Sequence, residues 1–124
     1  MRILVIEPGK APVEREIDGS LQSMQEIVGG PIQVMYPFGD TTVLICHEEG
    51  KLLGLTKNRA IYTDDAEVSD IVSGTFILCD GPAGSERFAS LTDYQLQRFK
   101  SYFGLPERFY QHSGHLVIVR ERAQ

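Results

Sequence analysis

The first 38 residues, MRILVIEPGKAPVEREIDGSLQSMQEIVGGPIQVMYPF, constrain the fold of this chain more than any other segment. The run from Ile3 to Ile6 is apolar without interruption, which is typical of a strand covered on both faces. Pro8-Gly9 then indicates a turn. Val13, Arg15 and Ile17 alternate with Glu14 and Glu16, so the segment predicts a second strand with one face in water.

A short helix with clear boundaries follows in the same segment. Ser20 stands where an N-cap hydroxyl would accept a hydrogen bond from the first turn. Leu21, Met24 and Val28 form an apolar stripe at helical spacing. Gly29-Gly30 predicts the end of the helix, because glycine adopts the left-handed C-cap conformation without strain.

The remaining residues predict further short strands and one more principal helix. The Ser90–Asp93 segment can form a capping box, with an overlapping alternative at Thr92–Gln95, and the helix then runs to about Phe103. Pro106 predicts one more helical turn, through Tyr110. The strands are expected at residues 32–36, 42–46, 51–55 (as the returning arm of a hairpin), 71–79 with Gly74 as an interruption, and 116–119. Residues 56–68 read as an irregular segment.

These elements predict an α+β fold with a mostly antiparallel sheet of six or seven strands and two principal helices. Strands follow one another with helices inserted, and few segments could form parallel crossovers. The length of 124 residues indicates a single domain over residues 1–124.

Composition limits the classes of function. The formal net charge is −5, so the chain lacks the basic field of a protein that binds DNA or RNA directly. It contains no apolar run long enough to span a membrane, and we expect it in the cytoplasm. Cys46 and Cys79 lie in apolar runs and read as buried hydrophobic residues. We predict neither a metal site nor a cofactor.

Two short basic segments are the candidate ligand-binding residues. Lys57-Asn58-Arg59 lies in the irregular segment, where binding residues concentrate on rigid scaffolds, although a solvated turn would look the same. Arg87-Phe88 follows a glycine-rich loop before the second helix. Its guanidinium could hold a phosphate while the ring stacks on a base, and the alternative is a surface loop with its ring packed on the core.

A third cluster, His112-Ser113-Gly114-His115, precedes the last predicted strand. Two histidines this close could form an acid–base or metal site, but no third ligand is evident in the sequence. A polar loop is the simpler interpretation. No catalytic residue is therefore assigned, and the chain is not expected to be an enzyme.

The chain resembles an uncharacterised domain family of short proteins from phages, conjugative elements and genomes of Firmicutes. The resemblance rests on the opening MRILVIEPGKAPVEREIDGSLQSMQEIVGG, on EEGKLLGLTKNRA, on GTFILC, and on SLTDYQ followed by F and PERF. Pro31 departs from the aromatic residue expected after the two glycines. The family setting implies an accessory protein, and small phage proteins of similar size act as sponges that bind nucleotide immune signals.

The leading hypothesis is a non-enzymatic protein that sequesters a small anionic, nucleotide-like ligand. Its candidate binding residues are Lys57, Asn58, Arg59, Arg87 and Phe88. A homo-oligomer is expected, because a domain this small has little room for a deep internal pocket. The alternative is a protein–protein interaction module that inhibits a host or element-encoded partner.

Overall fold

The structure is a computed structural model, and it describes residues 1–122. Its elements in chain order are β1 (Arg2–Ile6), β2 (Val13–Glu16), α1 (Leu21–Val28), β3 (Ile32–Met35), β4 (Thr42–His47), β5 (Lys57–Tyr62), β6 (Val68–Ser73), β7 (Phe76–Asp80), α2 (Asp93–Tyr102), β8 (Glu107–His112) and β9 (His115–Arg120).

Five of these strands form the main sheet, in the order β2-β1-β7-β4-β3, with every neighbouring pair antiparallel. The other four form two antiparallel pairs, β5–β6 and β8–β9. The α+β prediction is confirmed, with nine strands in residues 1–122 where six or seven were expected. The expected half-buried β2 is instead an edge strand whose four side chains are all exposed.

Both faces of the main sheet are covered, which explains the uninterrupted apolar runs of its central strands. Side chains alternate between faces along a strand. In β1, Ile3 and Val5 pack with α1, while Leu4 and Ile6 pack with α2 and the β5–β6 pair. Five aromatic residues gather on this second face, each in ring contact with at least one of the others: Phe38, Phe76, Phe99, Tyr102 and Phe103.

Both helices are capped by hydroxyl side chains. Ser20 accepts a hydrogen bond from the Ser23 N–H, and Gly29 closes α1 in the left-handed conformation, as predicted. Of the two possible capping boxes before α2, the structure contains the one formed by Thr92 and Gln95. The Ser90 hydroxyl instead accepts a hydrogen bond from the Arg2 N–H, which ties this loop to β1.

The central part of the chain differs from the prediction. Residues 51–55 form turns and not the arm of a hairpin, because the N–H groups of Leu53 and Leu55 bond back to Glu49 and Gly50. The segment that read as irregular contains β5, which pairs with β6. The hydrogen bonds of these turns are local, whereas the pairing of β5 depends on residues further along the chain.

The segment after α2 also differs from the prediction. Pro106 begins no helical turn; it precedes β8, which pairs with β9 over six residue pairs. The Glu121 N–H donates to the Pro106 carbonyl and closes the base of this hairpin.

Neither α1 nor α2, the helices found within residues 1–122, is long and apolar enough to cross a membrane.

Both cysteines are buried free thiols, and burial raises the pKa of each; for Cys79 the value rises to about 12. The thiolate is the reactive form, so the folded protein should resist labelling by iodoacetamide at pH 8. Two thiols should react in denaturant, as mass spectrometry would show. Rapid labelling of the native protein would contradict this burial.

The raised pKa also means that Cys79 favours the folded state at neutral pH. Its contribution should decline as the pH rises from about 9 towards 12.

Candidate functional site

Asn58 and Arg59, two of the predicted ligand-binding residues, lie in the protein interior. Their exposed fractions are 0% and 1%. The pairing of β5 with β6 shifts between Lys57 and Arg59, which marks a β-bulge with Asn58 as the extra residue. The bulge interrupts the alternation of the strand, so two consecutive polar side chains point inward while Lys57 is exposed.

Each polar group of these two side chains is satisfied within the fold. The Asn58 amide donates to the carbonyls of Ile6 and Gly74, at 2.8 and 2.9 Å. The Arg59 guanidinium donates to the Phe103 carbonyl at 3.0 Å, to the Lys10 carbonyl at 2.6 Å and to the Asn58 amide oxygen at 2.8 Å.

These contacts join the end of β1, the loop after it, the β6–β7 turn and the end of α2. Burial lowers the pKa of Arg59, and the charge of Glu107 opposes that shift. Because both side chains are buried and their polar groups bond within the fold, neither is retained as a binding residue. They form instead a buried polar cluster, here called the Arg59 cluster.

Lys57 lies in an open groove of about 550 Å³, here called the Lys57 groove. The groove is formed where the turn after β1 meets the start of β5 and the strand β8. Its lining residues are Pro8, Gly9, Thr56, Lys57, Glu107, Arg108, Phe109 and Tyr110. Two cationic and two aromatic residues are therefore among those that line it.

Lys57 and Arg108 are the cationic residues that line the Lys57 groove, and Glu107 is the carboxylate among the lining residues. Within residues 1–122, Lys57 forms no ion pair. The carboxylate of Glu107 is 3% exposed and points inward, where it accepts hydrogen bonds from the Ala60 N–H and the Tyr62 hydroxyl, each at 2.7 Å, and pairs with Arg120.

The side chain of Arg108 is more than half exposed. Its Nε lies 2.7 Å from a carboxylate oxygen of Glu121. A hydrogen bond with Tyr110 and the charge of Glu121 raise the pKa of Arg108. Arg108, Phe109 and Tyr110 were not identified from the sequence, because Pro106 suggested a helical turn there and their meeting with Lys57 depends on the tertiary fold.

Arg87 and Phe88 lie in a different groove, of about 770 Å³, near the N-cap of α1. Phe88 is half-buried and packs against the core beneath α1. Arg87 is exposed and forms no ion pair within residues 1–122. Asp18 and Glu86 also line this groove, so an anion there would meet two carboxylates.

The two grooves lie at opposite ends of β1. Met1 lines the groove that contains Arg87, whereas Pro8 and Gly9 line the Lys57 groove. Seven residues of extended chain span about 23 Å. The structure therefore does not bring Lys57 and Arg87 into one site for a small ligand.

His112 and His115 face each other as the closing pair of the β8–β9 hairpin. Both are exposed, and Ser113 and Gly114 form the turn between them. In residues 1–122, no group of three or more His, Cys, Asp or Glu side chains is arranged to hold a metal ion.

Comparison with known proteins gives one family. A family model described as "Domain of unknown function (DUF3846)" matches residues 1–104. The match covers the main sheet, both helices and the β5–β6 pair, and it ends before the β8–β9 hairpin. No curated protein and no solved structure shows significant similarity to the chain.

The Arg59 cluster predicts a contrast between two neighbouring residues. Arg59→Ala should lower the free energy of unfolding by about 3 kcal/mol or more, because it leaves buried carbonyls without donors. Lys57→Ala is the matched control; its side chain is exposed, and the change should stay within about 0.5 kcal/mol. Urea unfolding followed by circular dichroism measures both. Equal effects of the two substitutions would contradict the assigned roles.

Proposed function

We propose a binding function for this chain, which belongs to the DUF3846 family: it captures a small anionic ligand in the Lys57 groove without transforming it. The ligand class that suits the groove is nucleotide-derived. In this proposal the protein is a cytoplasmic accessory protein of a phage or mobile element, and it sequesters a nucleotide immune signal of the host.

The observation that carries the proposal is the meeting of Lys57 and Arg108 in a groove whose lining carboxylate is engaged elsewhere. An ammonium and a guanidinium on one surface can both pair with phosphate oxygens. The chain as a whole is acidic, so this local excess of positive charge is not a consequence of composition. It arises because β5 and β8 come together at this point.

The aromatic side chains favour a nucleotide over a bare phosphate. Tyr110 is 47% exposed, lines the groove, and is two residues from Arg108 on the same face of β8. An exposed ring beside a cation can stack on a base while the cation binds the phosphate. Pairing and stacking are sufficient for sequestration, and the proposal assigns no catalytic residue.

The proposal predicts which substitutions weaken binding. Calorimetry with a panel of cyclic dinucleotides, cyclic trinucleotides and cyclic ADP-ribose isomers should identify a ligand. Lys57→Ala and Arg108→Ala should each weaken its binding about tenfold or more, a loss of about 1.4 kcal/mol. Arg87→Ala is the matched control, because it removes an exposed arginine from the other groove and should leave affinity unchanged.

Two outcomes would contradict the proposal. One is the absence of heat with every member of the panel, together with no ultraviolet-absorbing ligand on the purified protein. The other is a ligand whose affinity falls with Arg87→Ala and not with Lys57→Ala, which would move the site to the groove near α1.

A second candidate function is docking on a protein partner, and one observation favours it. Leu52 and Leu53 are 88% and 59% exposed in the turn between β4 and β5. The Leu53 N–H donates to the Glu49 carbonyl and the Gly54 N–H to the Lys51 carbonyl, so the two leucines project from a hydrogen-bonded turn. A stoichiometric partner that binds the wild type but not Leu52→Ala, with no nucleotide bound, would favour this function.

A further inference from the structure

The β8–β9 hairpin exposes apolar side chains and leaves the outer edge of β9 unpaired within the described part of the chain. Tyr110, Val117 and Val119 are 47%, 39% and 38% exposed and lie on the same face of the hairpin. β8 borders β5, whereas no other strand pairs with the outer edge of β9 in residues 1–122. An isolated two-stranded hairpin is marginally stable in water, so this one gains from any further strand pairing.

The turn of the hairpin determines which backbone groups lie on that open edge. Ser113 and Gly114 have φ values of 50° and 79°, the left-handed values of a type I′ turn between His112 and His115. In such a turn the closing pair is hydrogen-bonded, and hydrogen-bonded and non-hydrogen-bonded pairs then alternate along the hairpin.

This alternation directs the backbone of every second residue of β9 away from β8. The N–H and C=O groups of Leu116, Ile118 and Arg120 therefore form the open edge. Three residues with outward groups, centred on Ile118, can pair with the same three residues of an identical strand in the antiparallel sense. The edge is therefore complementary to itself.

We propose that two copies of this chain associate through β9, in an antiparallel register centred on Ile118, to form a four-stranded sheet. Each β9 supplies the hydrogen-bonding groups that the other lacks. A two-fold contact of this kind is closed, because the same residues meet from both sides and the outer edge of each β9 is then paired.

The side chains in this register are compatible with association of two acidic chains. Val117 of one copy lies opposite Val119 of the other, and Leu116 lies opposite the aliphatic part of Arg120. The net charge of −5 opposes contact between most surfaces of two copies. Leu116, Ile118 and Arg120, whose backbone groups pair across the contact, carry no acidic side chain, so like-charge repulsion is small there. A second copy is therefore the occupant that the edge favours.

Sedimentation equilibrium of the wild-type chain should give twice the mass of one chain at high concentration. Two double variants test the register, because Val117 and Val119 face each other across the two-fold axis. Val117→Lys with Val119→Lys places two like-charged pairs in the interface and should give a monomer. Val117→Glu with Val119→Lys places two opposite-charged pairs there and should remain a dimer.

Both variants change the same exposed positions, and unchanged circular dichroism and thermal unfolding would show that each still folds. A monomeric wild type, or a lysine variant that stays dimeric, would overturn the proposal. A monomeric Glu–Lys variant would overturn the register, since a two-fold axis centred on Val117 would bring the two glutamates together.

Discussion

The buried guanidinium of Arg59 is the interaction on which the arrangement of the other elements depends. It donates to carbonyls of the loop after β1 and of the end of α2, and Asn58 extends the cluster to the β6–β7 turn. These segments lie far apart in the sequence and meet around one cation. A charge removed from water is tolerated only where its hydrogen bonds are all made, so the cluster stabilises one relative position of these segments.

A second buried polar cluster has a similar function at the N-terminal end of α2. The amide of Gln95 donates to the Thr42 hydroxyl and to the Asp80 carboxylate, while its oxygen accepts from the Thr92 N–H. The capping box of α2 is thereby joined to β4 and β7. Apolar packing covers the main sheet, and these polar contacts specify where α2 begins and ends on it.

Sequence patterns predicted the elements whose signals are local. The Ser20 cap, the Gly29 stop and the apolar run of β1 depend on neighbouring residues, and all three were predicted. The strand at residues 57–62 could not be recognised, because the bulge at Asn58 removes the alternation on which strand prediction depends. The candidate site was likewise predictable only in part. Lys57 could be proposed from its charge, but its meeting with Arg108 depends on contacts between β5 and β8.

The bulge at Asn58 also makes the length of β5 a constraint of its own. One additional residue separates a lysine that faces the groove from an arginine that faces the core. Deleting it would leave Lys57 and Arg59 on opposite faces but would remove the amide that donates to the carbonyls of Ile6 and Gly74. Inserting a further regular residue would reverse the faces of the residues on one side, because side-chain direction alternates strictly in a regular strand. Substitutions at Lys57 can therefore alter the surface without disturbing the interior, whereas insertions and deletions cannot. Variation that preserves the interior in this segment is limited to changes of residue type at constant length.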